Sequence, residues 1–187
     1  YEIPKRDWSS DVCSSDLPHY FIPTIKLIAD KGRTTILKTA GQGIFEVKSP
    51  TLDLIMWVKK NICEDISYIT IQTIHQGNFE PHIDGPSTEG KLRHYNLMYM
   101  IDTGGQKVLT QIYHSPIDLI EKAKQNGYCI SYNQAVLLES FEFEKDTWNL
   151  MNNQMFHSVE GITGLRVGVS LSFYEPELPK FLQPLIR

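Results

Sequence analysis

Residues 79–86 read Phe79-Glu80-Pro81-His82-Ile83-Asp84-Gly85-Pro86, and the pair His82 and Asp84 decides how the rest of the chain is read. The two stand shortly after an alternating run that holds Ile69, Ile71 and Ile74. If the backbone is still extended there, both side chains leave one face of a strand, and an imidazole and a carboxylate can share one metal ion. The spacing by itself is weak: with six histidines and ten aspartates in 187 residues, His-x-Asp arises by chance roughly 0.3 times. A third ligand is needed, and His157 supplies it, in the stretch Met155-Phe156-His157-Ser158-Val159 that reads as a short turn before the last strong strand.

Two imidazoles and one carboxylate on one side of a metal leave coordination positions open, the facial arrangement that suits Fe(II) in oxygen-activating sites. Nine residues beyond His157 comes Arg166, first residue of RVGVSLSF, whose members Arg166, Gly168, Ser170 and Ser172 share one strand face. An arginine among Ser and Gly on an inward face is costly unless it meets an anion, and a carboxylate accepts its planar fork through two parallel hydrogen bonds.

Around these residues the chain is dominated by strand signals. Short runs rich in Ile, Val, Tyr, Thr and Phe, bounded by Gly, Pro, Asn and Asp, predict strands over 20–28, 67–74, 93–101, 108–113, 135–143, 147–152 and 166–174. One helix is predicted after Ser49-Pro50, through LDLIMWVKKNI with Leu52, Leu54, Ile55 and Val58 at helical spacing. A second, weaker helix is predicted from Ser115-Pro116 to Gly127. Many short strands with few helices predict a mainly β fold, a sandwich or barrel of jelly-roll type with helices on one face.

His82-x-Asp84, the distal His157, and Arg166 leading into an alternating Ser-containing strand together resemble the 2-oxoglutarate/Fe(II)-dependent oxygenase superfamily. The resemblance covers about residues 66–174 and is closest to the small bacterial and phage members and to the aspartyl/asparaginyl β-hydroxylase and prolyl hydroxylase branches. It implies a double-stranded β-helix, cupin-like, with a few flanking helices. His82, Asp84 and His157 would bind Fe(II), and Arg166 would bind the distal carboxylate of 2-oxoglutarate. It also implies a dioxygenase that uses O2, hydroxylates a small molecule or a protein side chain, and decarboxylates 2-oxoglutarate to succinate. The sequence departs from the pattern at Gly168, where some members carry Ser; Ser170, Asn96 and Tyr99 are the candidates for the missing polar contact. Asn96 is either such a contact or a satisfied core amide.

Composition sets limits on this reading. The chain has 187 residues, 41% of them hydrophobic and 21% charged, enough apolar material for one domain with a buried core. No run approaches the roughly 18 apolar residues of a membrane span, and no signal-like N-terminus is seen, so a cytoplasmic protein is expected. A formal net charge of −4 gives no basic excess for a phosphate backbone, and nucleic acid is not predicted as a partner. Residues 1–17 stand apart: Asp7 to Leu17, DWSSDVCSSDL, match a reading frame of a common sequencing adapter, and Tyr1 to Ile3 match the bases upstream of it. The expectation is a non-native segment over 1–17 and a single oxygenase-like domain over 18–187, which carries 16 basic and 18 acidic groups. Cys63 and Cys129 form no CxxC pair and read as ordinary thiols. Two other functions compete: a metal cupin enzyme independent of 2-oxoglutarate, for which the usual His-x-His is missing, and a noncatalytic cupin-like binding or structural protein. Neither the substrate nor the oligomeric state is legible.

Overall fold

The computed structural model describes residues 16–40, 43–64, 66, 68–75, 77–84, 91–115, 119 and 130–185. Two helices, α1 (Ile22–Lys31) and α2 (Leu52–Asn61), accompany ten strands among these residues. The strands are β1 (Thr34–Ala40), β2 (Gly43–Lys48), β3 (Tyr68–Ile74), β4 (Gly77–His82), β5 (Tyr95–Thr103), β6 (Leu109–His114), β7 (Val136–Glu142), β8 (Trp148–Asn152), β9 (Phe156–Ile162) and β10 (Arg166–Phe173).

They form two antiparallel sheets, a larger one in the order β1-β2-β3-β10-β5-β8 and a smaller one in the order β4-β9-β6-β7. From β3 onward the chain crosses between the sheets at almost every connection, and only β6 to β7 stays within one sheet. That winding is the double-stranded β-helix, the jelly-roll solution to burying one face of each of two sheets.

Three sequence expectations are corrected. Residues 20–28 are not a strand: Phe21, Ile25 and Ala29 are buried at intervals of four, a helical stripe, and a proline at the start of α1 is pre-set for a first turn. The second helix is capped by Thr51 rather than Ser49, its Oγ1 accepting from the Leu54 amide at 3.3 Å. His157 lies on a strand, β9, and not in a turn. The helix predicted over 115–127 falls outside the described residues except at Ser115 and Leu119. Strands β1, β2, β4 and β9 were not predicted; Gly and Pro interrupt β4 and Gly161 interrupts β9, so neither shows an unbroken β pattern.

The helices lie on the outer face of the larger sheet. Phe21, Ile25, Leu54 and Val58 pack with Ile69, Ile71, Leu97, Tyr99, Val167, Val169 and Leu171 in one apolar layer, which also takes in Leu17 at 1% exposure. Every residue of β10 is buried, because this strand is covered on both sides. Its odd members Val167, Val169, Leu171 and Phe173 belong to the helix layer. Its even members Arg166, Gly168, Ser170 and Ser172 therefore face the smaller sheet, and the space between the sheets has a polar wall.

Candidate metal centre

His82 closes β4 and stands opposite His157 near the start of β9. This pairing depends on two irregularities. Between Phe79, which faces Val159, and His82, which faces His157, β4 spends three residues where β9 spends two. The extra residue falls at Glu80-Pro81, and a bulge is one of the few strand positions that tolerates a proline. It lets Phe79 and His82, an odd and an even position, point the same way, with ring centroids 5.4 Å apart. The compensating extra residue lies on β9, where Gly161 adopts φ +78° and a Cβ would meet the Lys107 carbonyl oxygen at 2.4 Å.

The imidazoles of His82 and His157 sit with centroids 4.4 Å apart. Asp84 follows two residues beyond His82, and one ligand atom from each of the three residues lies within 4.8 Å of the others. Each histidine donates Nδ1–H to the carbonyl oxygen two residues before it, His82 to Glu80 at 2.8 Å and His157 to Met155 at 3.0 Å. Because a carbonyl only accepts, this fixes the tautomer with an unprotonated Nε2, the form that ligates a metal. His157 is buried and His82 and Asp84 are half-buried, so the cluster is graded from the interior to the surface. Two imidazole nitrogens and one carboxylate oxygen form a donor set that fits a first-row divalent metal.

The interior beyond the triad is polar and incompletely satisfied. Thr70 on β3 stands opposite Ser170, and Thr110 on β6 opposite Val159. The hydroxyls of Thr70, Thr110 and Ser172 are buried without a hydrogen-bond partner among the described residues. Ser170 Oγ donates to the side-chain Oδ1 of Asn96 at 2.5 Å, so these two residues are brought together on the inward face.

Arg166 is 4% exposed. Its guanidinium lies 5.1 Å from the centroid of the Phe143 ring, and Nη2 is 4.0 Å from the Met100 sulfur. No anionic partner for it is found among the described residues, and burial alone lowers its pKa to about 10, so it is still a cation at neutral pH.

Tyr99 is placed apart from these groups. It pairs with Val169 and Trp148, its ring 5.2 Å from the indole, and it sits in the helix-side layer with its pKa raised to about 12 chiefly by burial. The strand alternation that aims Arg166 inward aims Tyr99 outward.

At Gly168 a Cβ would meet Met98 Cγ at 3.0 Å and Sδ at 3.2 Å, so Met98 fills the space a serine side chain would take. The turn at Gly104 is a structural clasp: its carbonyl accepts from the amides of Thr163 and Gly164 at 2.9 and 2.8 Å, just before Arg166. The other histidines stay outside the cluster, and His75 bonds Glu46 at 2.9 Å. The acidic residues Glu139, Glu142, Glu144 and Asp146 are exposed on β7 and in the connection that carries the chain from β7 across to β8 in the other sheet. Two residues that the sequence did not single out, Arg93 and Asn153, lie against Asp84. Asn153, in the turn after β8, reads in sequence as an ordinary turn former, and no pattern in one sequence distinguishes it.

No protein-family model matches the chain, and no curated protein matches it. Among solved structures, it is similar to a 2OG-Fe(II) oxygenase family oxidoreductase from Burkholderia pseudomallei, at 9% identity and TM-score 0.50, over 84% of this chain and 80% of that one. It is also similar to a prolyl hydroxylase from Trichoplax adhaerens, solved with a hypoxia inducible factor oxygen degradation domain peptide fragment. That match has 12% identity and TM-score 0.50, over 90% of this chain and 81% of the other. At these identities the likeness is one of fold, and the fold is the expected double-stranded β-helix. No helix among the described residues is long and apolar enough to cross a membrane.

Proposed function

We propose that this chain is an Fe(II)- and 2-oxoglutarate-dependent oxygenase that hydroxylates a small molecule or a protein side chain. The observation that carries the reading is Arg166, a cation buried between the sheets with no anion beside it among the described residues, in the same interior as a two-histidine, one-carboxylate cluster. A structural arginine in that position would be a net cost, and a dicarboxylate ligand removes the cost.

Bound iron and 2-oxoglutarate would supply the activation of O2, with one oxygen atom passing to the substrate and the other to succinate as carbon dioxide leaves. His82, Asp84 and His157 hold the ion. Arg166 takes the distal carboxylate of the cosubstrate in its planar fork, while Ser170 and Asn96 offer polar contact along the same wall. Tyr99 has no part in this reading, because it lies in the other layer. The peptide held by the Trichoplax protein supports a protein side chain as one substrate class. A reducing, cytoplasmic setting fits a site that needs Fe(II). We also take residues 1–17 as adapter-derived and 18–187 as the single domain, with Leu17 buried in the helix-side core.

The test is the visible spectrum of the full chain loaded anaerobically with Fe(II) and then 2-oxoglutarate. A weak metal-to-ligand charge-transfer band is expected, lost in Asp84→Ala and requiring more cosubstrate in Arg166→Ala. A folded, iron-bound protein with no band overturns the 2-oxoglutarate reading in favour of another metal chemistry.

A further inference from the structure

The surroundings of Asp84 point to a residue whose task is to aim it. The two histidines are fixed by ladder pairing with each other, whereas Asp84 lies past the end of β4, where no ladder fixes it. Instead Asn153 donates Nδ2–H to Asp84 Oδ2 at 3.2 Å, and Arg93 Nη2 lies 3.6 Å from the same oxygen. These donors come from the turn after β8 and from the segment leading into β5. Turn and segment are pinned together: the backbone N–H of Asn153 donates to the His94 carbonyl at 3.0 Å, and Gln154 Nε2 donates to the Arg93 carbonyl at 2.8 Å. The His94 amide in turn donates to the Phe173 carbonyl at 2.9 Å, anchoring the assembly to β10.

Asn153 is 0% exposed, and its Oδ1 has no partner among the described residues. Its amide cannot be turned over, since that would set two oxygens against each other. A buried amide satisfied at one end only is a poor way to stabilise a turn, so its place is better explained by what the satisfied end holds. We propose that Asn153 is a positioning residue for the metal ligand Asp84. It holds the carboxylate in one plane, with Arg93 steadying the same oxygen, so that metal binding need not freeze a rotating side chain. This rests on the metal reading of His82, Asp84 and His157 and adds to it the residue that sets the affinity of the centre.

The probe is Co(II) alone, titrated into the full chain and followed by visible absorption, with His82→Ala as the control that abolishes the centre. Asn153 is the informative position because it is neutral; removing Arg93 would also relieve repulsion of a divalent cation and mix two effects. Asn153→Leu keeps the branching and the number of side-chain heavy atoms and removes both the donor and the orphaned acceptor. It is expected to weaken Co(II) binding by about 10- to 100-fold while the metal-free protein melts near the parent temperature. In an Asp84→Ala background the same substitution should change the affinity by less than about twofold, because nothing remains to be aimed. Gln154→Ala, which only unpins the turn, gives a smaller loss in the same direction and decides the matter if Asn153→Leu does not fold. Co(II) affinity within twofold of the parent in whichever of these variants folds, with His82→Ala inactive in binding, overturns the positioning role alone. A parent chain that does not bind Co(II) overturns the metal reading and the positioning role with it.

Discussion

Replacing Arg166 by Met should make the metal-free protein more stable and the ligand-bound protein less so. The guanidinium is 4% exposed, and burial depresses its pKa from 12.5 to about 10. That shift is worth on the order of 3 kcal/mol at 1.36 kcal/mol per unit. The sign follows from the direction: a base whose folded pKa is depressed carries the full penalty wherever both states are protonated, which includes pH 7, and escapes it only above the unfolded value. The Phe143 ring returns about 1 kcal/mol, leaving a net cost near 2 kcal/mol. Methionine keeps the unbranched stem and the contact with Phe143 and Met100 without the charge. A domain of this size gains about 2–4 °C per kcal/mol, so the metal-free variant should melt about 4–8 °C higher. Saturating metal with 2-oxoglutarate at about 100 times Kd should add about 2.7 kcal/mol to the parent, and most of that gain should vanish in the variant. Thermal unfolding followed by circular dichroism, with and without both ligands, reads the two effects separately. A metal-free Arg166→Met that melts well below the parent would show that the arginine is already satisfied in the empty protein, and an undiminished ligand shift would show that it does not hold the cosubstrate.

Three further outcomes are expected. Glu46 accepts from His75, Thr34 and Thr73 and faces Lys48 at 3.4 Å; the His75 bond first, then Thr34 and Lys48, lower its pKa from 4.5 to about 2 against the opposing effect of burial. A depressed carboxylate contributes stability above its unfolded pKa and loses it as pH falls through the folded one, so Glu46→Gln should flatten urea-measured stability between about pH 4.5 and 2, by up to about 3 kcal/mol. Gly168→Ser should cost about 1–3 kcal/mol by crowding Met98, and Met98→Ala in the same chain should recover part of it; independent, additive losses in thermal melts would refute the contact. Leu171→Ala, on the helix side of β10, should lose about 2–5 kcal/mol, whereas Ser170→Ala on the opposite side should lose under about 1.5; equal losses in denaturant titrations would contradict the two-faced strand.

Much of the candidate site was legible because its residues announce themselves by type. His82, Asp84 and His157 are scarce, chemically specific side chains, and the alternation in RVGVSLSF correctly placed Arg166 and Ser170 on one face. The same alternation would have excluded Tyr99, had the register between β5 and β10 been known; period two is read along a strand, while which face lies inward is set by the partner strand. The error at 20–28 has a similar origin. Ile, Tyr and Phe are strand formers by propensity, but Phe21, Ile25 and Ala29 gain more by lying along one helical stripe on the sheet. Asn153 and Arg93 were invisible because their meaning is tertiary: each is an ordinary polar residue until the chain brings it to Asp84.

The paired irregularities at Glu80-Pro81 and Gly161 separate the chemistry of this molecule from its architecture. A strand reverses its faces with each residue, so a regular ladder running on from Phe79 would bring Pro81 opposite His157, and the bulge is what brings His82 there instead. Loss of one residue at Glu80-Pro81 would leave His82 two places beyond Phe79 on a regular strand, still facing His157, whereas straightening the bulge at full length would turn His82 and Asp84 away together. Neither sheet needs that fault in its ladder in order to form, so the residue types at 82 and 84 and the direction in which they point are separable properties of this chain.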